Sequence, residues 1–320
     1  MIGELHWGLP VVGYLFLAGV GAGALTTSAS LYLRGGSEVR GLHVDAARYG
    51  AFLAPLPVIV GCGLLIFELG SFHAGNPFRF LNLYKVINLS PMSIGTWLLT
   101  AFIGLSIVYA YMFVRNAPGL TNERRYAYRT VLSWVAVPLG ISVAVYTGIL
   151  LGAMPARPFW NSPILALLFL VSSVSTGVAL ILLARTLLAG KIDAKTDRQY
   201  HESGYLLTTS DVLLIGFELM AIFLFIMYAH LTIGSVKEAM SVILFGGVLA
   251  AQFWIGVVVI GLLLPALVEL YYVIPRLLYQ RPFTTPRSVE IAVPIAVLVG
   301  GFMLRYVVVI AGQITGPVGI

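Results

Sequence analysis

Eight runs of apolar residues, each about as long as a lipid bilayer is thick, divide the chain: 9–33, 49–70, 93–115, 129–152, 162–186, 206–232, 241–272 and 289–312. A helix of about 20 apolar residues crosses the hydrocarbon core. Backbone N–H and C=O groups find no water there, so each run must close its hydrogen bonds internally as a helix. No run alternates apolar and polar residues as a membrane β-strand does. Charged residues make up only 10% of the 320, and apolar ones 59%, which excludes a soluble globular or a disordered chain. The expected fold is an all-α integral membrane protein with eight transmembrane helices. The seventh run is long and contains Pro265, so it is expected to kink or to leave the membrane early. The opening residues lack the basic stretch of a cleaved signal, and the first run is read as a retained span.

The loop charges predict the orientation. The loops after spans 1, 3, 5 and 7 carry Arg34, Arg40, Arg48, Arg115, Arg124, Arg125, Arg129, Arg185, Lys191, Lys195, Arg198, Arg276, Arg281 and Arg287, fourteen basic residues. The other side carries four, Arg79, Lys85, Arg157 and Lys237, and Arg305 falls inside span 8. The basic side faces the cytoplasm by the positive-inside rule. The predicted location is a prokaryotic cytoplasmic (inner) membrane, crossed many times, with both termini on the outer, periplasmic side.

Two segments point to an internal duplication. Residues 64–69 read LLIFEL and residues 213–219 read LLIGFEL; Gly19, Gly21 and Gly23 of span 1 are matched by Ser173, Ser175 and Gly177 of span 5. The expected arrangement is one membrane domain of two four-helix bundles, residues 1–152 and 160–320, related as parallel repeats. The string GVGAGA at 19–24 imitates a nucleotide-binding glycine loop, but it sits inside a membrane span with no strand before it. Gly19 and Gly23 form a GxxxG pair, read as a place where helices approach closely.

Ionisable side chains are costly in lipid and usually mark ion or substrate paths. This chain keeps Glu68 in span 2, Asp211 and Glu218 in span 6, Glu269 in span 7 and Arg305 in span 8. Glu218 and Arg305 are candidates for a buried, mutually neutralising pair. With Asp211 and Glu269 they form a candidate proton path from the cytoplasm, the alternative being a static pair and two acids at headgroup level. The five histidines, His6, His43, His73, His201 and His230, fall in loops or near span ends, so no mid-membrane pair is available to ligate haem. The single cysteine, Cys62, cannot hold an iron–sulfur cluster or a structural zinc.

The outward loops at 71–97 and 152–163 combine proline, aromatic residues and an arginine. Aromatic side chains at a membrane boundary are ordinary anchors. Arg79, Arg157 and Trp160, on the charge-poor side, also suit an outer shelf where a protein partner docks. Tyr146, Glu68, His73 and Tyr14 lie at a depth suited to a lipid-soluble ligand below that shelf.

Four strings resemble a known family: LAGVGAGA in span 1, PFRF followed by SPMSIGTW, ARPFWNSP after span 4, and LRYVVVIAGQ near the end. Taken in order over essentially the whole chain, they resemble the NrfD-like, or polysulfide reductase PsrC, membrane subunits. The resemblance implies a quinone-binding subunit of a respiratory oxidoreductase, without haem or iron–sulfur cluster of its own. It implies a docked ferredoxin-like [4Fe-4S] subunit and a molybdopterin-type catalytic subunit. Tyr146 matches the tyrosine taken to contact menaquinone or ubiquinone, Glu68 the acid before the RF-F string, and Arg305 and Gln313 the arginine and glutamine of the last span. Where related subunits place Asn and His in span 1, this sequence has Pro10 and Tyr14. The expected mechanism has Tyr146 and His73 hydrogen-bonding the quinone and Glu68 relaying protons; if protons come from the cytoplasm, Glu218, Asp211 and Glu269 are the candidate carriers. A secondary transporter using the midplane acids and a passive membrane anchor are the competing expectations.

Overall fold

A computed structural model describes residues 7–35, 43–68, 81, 84, 90–114, 121–188, 194–232, 234–280 and 282–316. Among these residues the protein is all helical, with eight helical segments long and apolar enough to cross a membrane. They are Leu9–Arg34, Val44–Phe67, Pro91–Met112, Glu123–Gly152, Ile164–Leu188, Gln199–Leu231, Gln252–Tyr279 and Arg287–Ile314, hereafter spans 1 to 8.

Proline shapes several of these spans. Span 2 begins earlier than its apolar run and is two helices, Val44–Leu53 and Pro55–Glu68, meeting at Ala54. Pro55 and Pro57 account for the break, because proline lacks the N–H that would continue the ladder. Span 3 starts at Pro91, where a missing N–H costs nothing, and the Ser90 hydroxyl caps it by accepting from the Ser93 N–H. Span 7 departs furthest from the sequence pattern. Residues 241–249 form turns, and the helix proper runs from Gln252. Adjacent glycines explain the late start: Gly246 has φ +92°, and a Cβ on Gly247 would lie 2.2 Å from the Val242 carbonyl oxygen, a turn that only glycine closes. Residues 252–263 are wound as π-helix, and α-helix resumes just before Pro265. The expected irregularity at Pro265 is thus a change of helix type.

Span 1 lies at the centre, against spans 2, 4, 5 and 8, and its most extensive contact is with span 5. The contact is backbone on backbone. A Cβ on Gly23 would lie 1.8 Å from the Ser173 carbonyl oxygen, and one on Gly177 would lie 2.2 Å from the Gly23 carbonyl carbon. Gly19 faces the Ser173 hydroxyl. The glycine string is therefore a helix crossing, as GxxxG spacing predicts. Gly19 meets Ser173 and Gly23 meets Gly177, so both chains ascend together and spans 1 and 5 run parallel. Gly261 and Gly300 make a similar close contact between spans 7 and 8. One continuous apolar core runs through both halves of the chain.

The start of span 1 and the finish of span 8 lie at the same end. The Trp7 N–H donates to the Gln313 side-chain carbonyl (2.9 Å), and the Gln313 amide donates back to the Trp7 carbonyl (2.9 Å). Arg34, Arg48, Arg124, Arg125, Arg129, Arg185, Arg276 and Arg287 gather at the opposite end.

Candidate functional site

Near the end that carries Trp7 and Gln313, the first four spans converge on two tyrosines. Tyr14 comes from the second turn of span 1 and Tyr146 from near the finish of span 4; both are buried. Their hydroxyls lie side by side, with the Cys62 thiol of span 2 nearby. The Tyr14 hydroxyl makes no hydrogen bond of good geometry with the protein. A buried hydroxyl whose nearest polar neighbour is not in good hydrogen-bond geometry is costly and rare. Span 3 admits the Tyr146 ring because residue 95 is glycine: a Cβ there would fall 1.8 Å from the Tyr146 hydroxyl oxygen. Glu68 is the last residue of the helix that carries Cys62. Its side chain, and the whole of His73 and Arg79, lie outside the described residues.

A second polar region runs through spans 5, 6, 7 and 8. Arg305 is fully buried. Its guanidinium donates to the Ser172 hydroxyl (2.5 Å), the Ser173 hydroxyl (3.0 Å) and the Gly301 carbonyl (3.0 Å), and lies 5.1 Å from the centre of the Phe169 ring. Ser172 also reaches the Glu218 carboxyl, so the arginine and the acid share one serine. Asp211 stands two turns from Glu218 on the same face of span 6. One of its oxygens accepts from Ser175 (2.7 Å); the other, Oδ2, has no partner in the protein. Glu269 of span 7 is within electrostatic reach of Asp211, and its Oε2 is likewise buried without a partner. Glu269 lines a pocket with Arg185 and Glu290. The structure thus brings all four predicted residues into one series: Glu269, Asp211, Glu218, Arg305.

The pocket beside Glu269 is closed by a network that the sequence did not single out. Arg185 stacks over the Tyr200 ring (4.0 Å), donates to the Tyr200 carbonyl (2.7 Å) and lies 3.8 Å from Glu290. Glu290 accepts from Tyr200 (2.8 Å) and Thr285 (2.6 Å).

The chain matches the family model described as polysulphide reductase, NrfD, over residues 1–317. It belongs to the NrfD family. It is 32% identical to a polysulfide reductase chain of Wolinella succinogenes over 315 residues, which cover 96% of this chain and 94% of that protein. It is 31% identical to the NrfD homolog of Haemophilus influenzae over 328 residues (98% and 96%). It is 24% identical to a selenate reductase subunit of Mesobacillus selenatarsenatis over 296 residues (82% and 66%).

In this NrfD-family chain the ARPFWNSP string is tied down by the last span. Arg157 donates to the Gln313 carbonyl (2.8 Å) and lies 5.9 Å from the Trp160 ring centre. The Trp160 indole N–H donates to the Val308 carbonyl (2.7 Å), and its ring stacks on Trp7 (5.3 Å). Trp160 is only 2% exposed, so it supports this end from beneath, whereas Arg157 keeps part of its surface. Gly312 makes the room: a Cβ on it would lie 1.9 Å from the indole nitrogen. Gln313, matched to the family by resemblance, ties the start of span 1 to the finish of span 8.

Proposed function

We propose that this NrfD-family protein is the membrane subunit of a respiratory oxidoreductase complex and presents a quinone at the Tyr14–Tyr146 pair. The observation that carries the reading is the convergence of two buried phenols from different spans, with the Tyr14 hydroxyl making no hydrogen bond of good geometry within the protein. A bound menaquinone or ubiquinone would supply two-electron, two-proton carbonyl chemistry. Tyr146 and Tyr14 would each donate a hydrogen bond to a quinone carbonyl. Gly95 holds the Tyr146 ring against span 3, which fixes the direction of its hydroxyl. Glu68, at the position of the family's acid, is assigned to proton relay, and His73 to hydrogen bonding the quinone.

The distribution of arginines supports a cytoplasmic location for the end away from the tyrosine pair. The tyrosine end then faces outward with Arg157, on the side where a partner would dock; Arg79, outside the described residues, is assigned to that side by the order of the spans alone. The polysulfide and selenate reductase relatives are each named as one component of a reductase with several, which supports assembly with other subunits. The proposed partners are a ferredoxin-like [4Fe-4S] subunit, which exchanges electrons with the quinone, and a molybdopterin-type catalytic subunit. Glu269, Asp211 and Glu218 form the proposed proton path. The two unpartnered carboxylate oxygens mark where water or a proton would enter hydrogen bonding along it.

Tyr146→Phe tests the quinone site. It removes one hydroxyl and keeps the ring that Gly95 accommodates. Quinone-linked turnover of the purified complex should fall about tenfold, the worth of one hydrogen bond to the ligand, while dye-linked activity of the catalytic partner stays unchanged. Equal loss of both activities, or of neither, overturns the assignment. Asp211→Asn tests the path: in vesicles, proton uptake from the arginine-bearing side should be lost while quinone turnover continues. Undiminished uptake would remove Asp211 from the path.

A further inference from the structure

Between spans 1, 5 and 6, at the arginine-bearing end, a crevice of about 180 Å³ opens in the wall of the molecule. Leu213 and Phe217 are exposed on the same span 6, so among the described residues no helix covers this wall, which is left for lipid. Arg34 and Ser30 are exposed at the rim. Two turns deeper on span 1, about 10 Å along the axis, Thr27 lines the crevice. Thr27 is 8% exposed, and its hydroxyl has no hydrogen-bond partner in the protein. Its neighbour Thr26 donates to the Ala22 carbonyl, and Ser210 across the crevice donates to the Leu206 carbonyl. Thr27 is therefore a buried hydroxyl here with its proton uncommitted. Below it the lining turns apolar, with Val174, Val178 and Leu214.

From rim to floor, the order is a cation, a hydrogen-bond donor and an apolar slot. A phospholipid carries the complementary order of phosphate, ester carbonyl and acyl chain. The guanidinium fork matches phosphate oxygens, its stem can follow the helix surface while the charge stays at headgroup level, and basic pockets between membrane helices select anionic headgroups. A neutral quinone offers the arginine a carbonyl acceptor but no charge.

We propose that this crevice is a binding site for one anionic phospholipid. Its phosphate lies against Arg34, an ester carbonyl accepts from Thr27, and one acyl chain follows Val174 and Leu214. The lipid then spans the seam between the two halves of the chain, touching span 1 from one half and spans 5 and 6 from the other. The site is remote from the tyrosine pair and stands whether or not a quinone binds there.

The test is native mass spectrometry of the purified full-length chain in detergent, titrated separately with phosphatidylglycerol and phosphatidylcholine. One phosphatidylglycerol should be retained in preference to phosphatidylcholine. Arg34→Gln, at an exposed position, should weaken phosphatidylglycerol retention about fivefold and erase the preference. Val178→Phe, which fills the slot, should displace both lipids. Equal retention of the two lipids by the unaltered chain, retention unaffected by both substitutions, or a quinone released from this site in place of phospholipid would each overturn the proposal.

Discussion

Gly23→Leu will give a chain that enters the membrane but does not assemble its two halves. A Cβ at residue 23 would lie 1.8 Å from the Ser173 carbonyl oxygen and 2.6 Å from its carbon. Backbone atoms of span 5 cannot swing aside as a flexible side-chain tip can, so spans 1 and 5 must separate along their whole crossing. Overpacking a well-packed interior costs about 1–3 kcal/mol where neighbours yield. Here they cannot, and the loss should exceed that range. Thermal unfolding in detergent, followed by size-exclusion chromatography, reads the effect. Gly104 of span 3 provides the control, because nothing lies within 4 Å of a Cβ built there. Gly104→Ala should leave stability unchanged or raise it by up to about 1 kcal/mol through helix propensity. Comparable loss from both substitutions would mean that the close crossing does not hold the fold.

Arg305→Met should be nearly as damaging, for an electrostatic reason. The arginine is fully buried and engages Ser172, Ser173 and the Gly301 carbonyl, with Glu218 sharing Ser172. Removing it leaves the acid without its cation and two serines without their donor, and breaking one partner of a buried charged pair costs about 3–5 kcal/mol. Removing both charges, as Arg305→Met with Glu218→Leu, should recover much of that loss, because an apolar replacement of a buried pair is often neutral. A double-mutant cycle on unfolding free energy measures the coupling. Strict additivity of the two changes would show that Glu218 and Arg305 do not act on one another.

The sequence made the spans legible because bilayer thickness imposes one length on every helix. It made the glycine crossing legible because close approach of helices needs small residues at fixed spacing. It misplaced the start of span 7 because residues 241–251 are apolar enough to pass for membrane helix; only the backbone freedom of Gly246 and Gly247 turns them into a folded-back segment. It did not show the break in span 2, where Pro55 had to be weighed against an unbroken apolar run. At the candidate sites, the depth of Tyr14 and Tyr146 could be counted along each helix. Their convergence could not, since it depends on how four helices rotate about their axes. The Glu269, Asp211, Glu218 and Arg305 series was suggested by the cost of charge in lipid, but the serines that organise it were legible only as small residues. Arg185 and Glu290 were missed because each sits near a span end, where a charge ordinarily faces water, and their contact joins segments 105 residues apart.

The seam between spans 1 and 5 also limits how the molecule can do work. Many membrane machines convert energy by rocking one lobe against another, opening a cleft first to one compartment and then to its opposite. Here spans 1 and 5 meet through main chain pressed on main chain, and any tilt of one against the other would have to prise that contact open in every cycle. The proton path proposed above asks for no such tilt, since its carriers stand on spans 6 and 7, away from that contact.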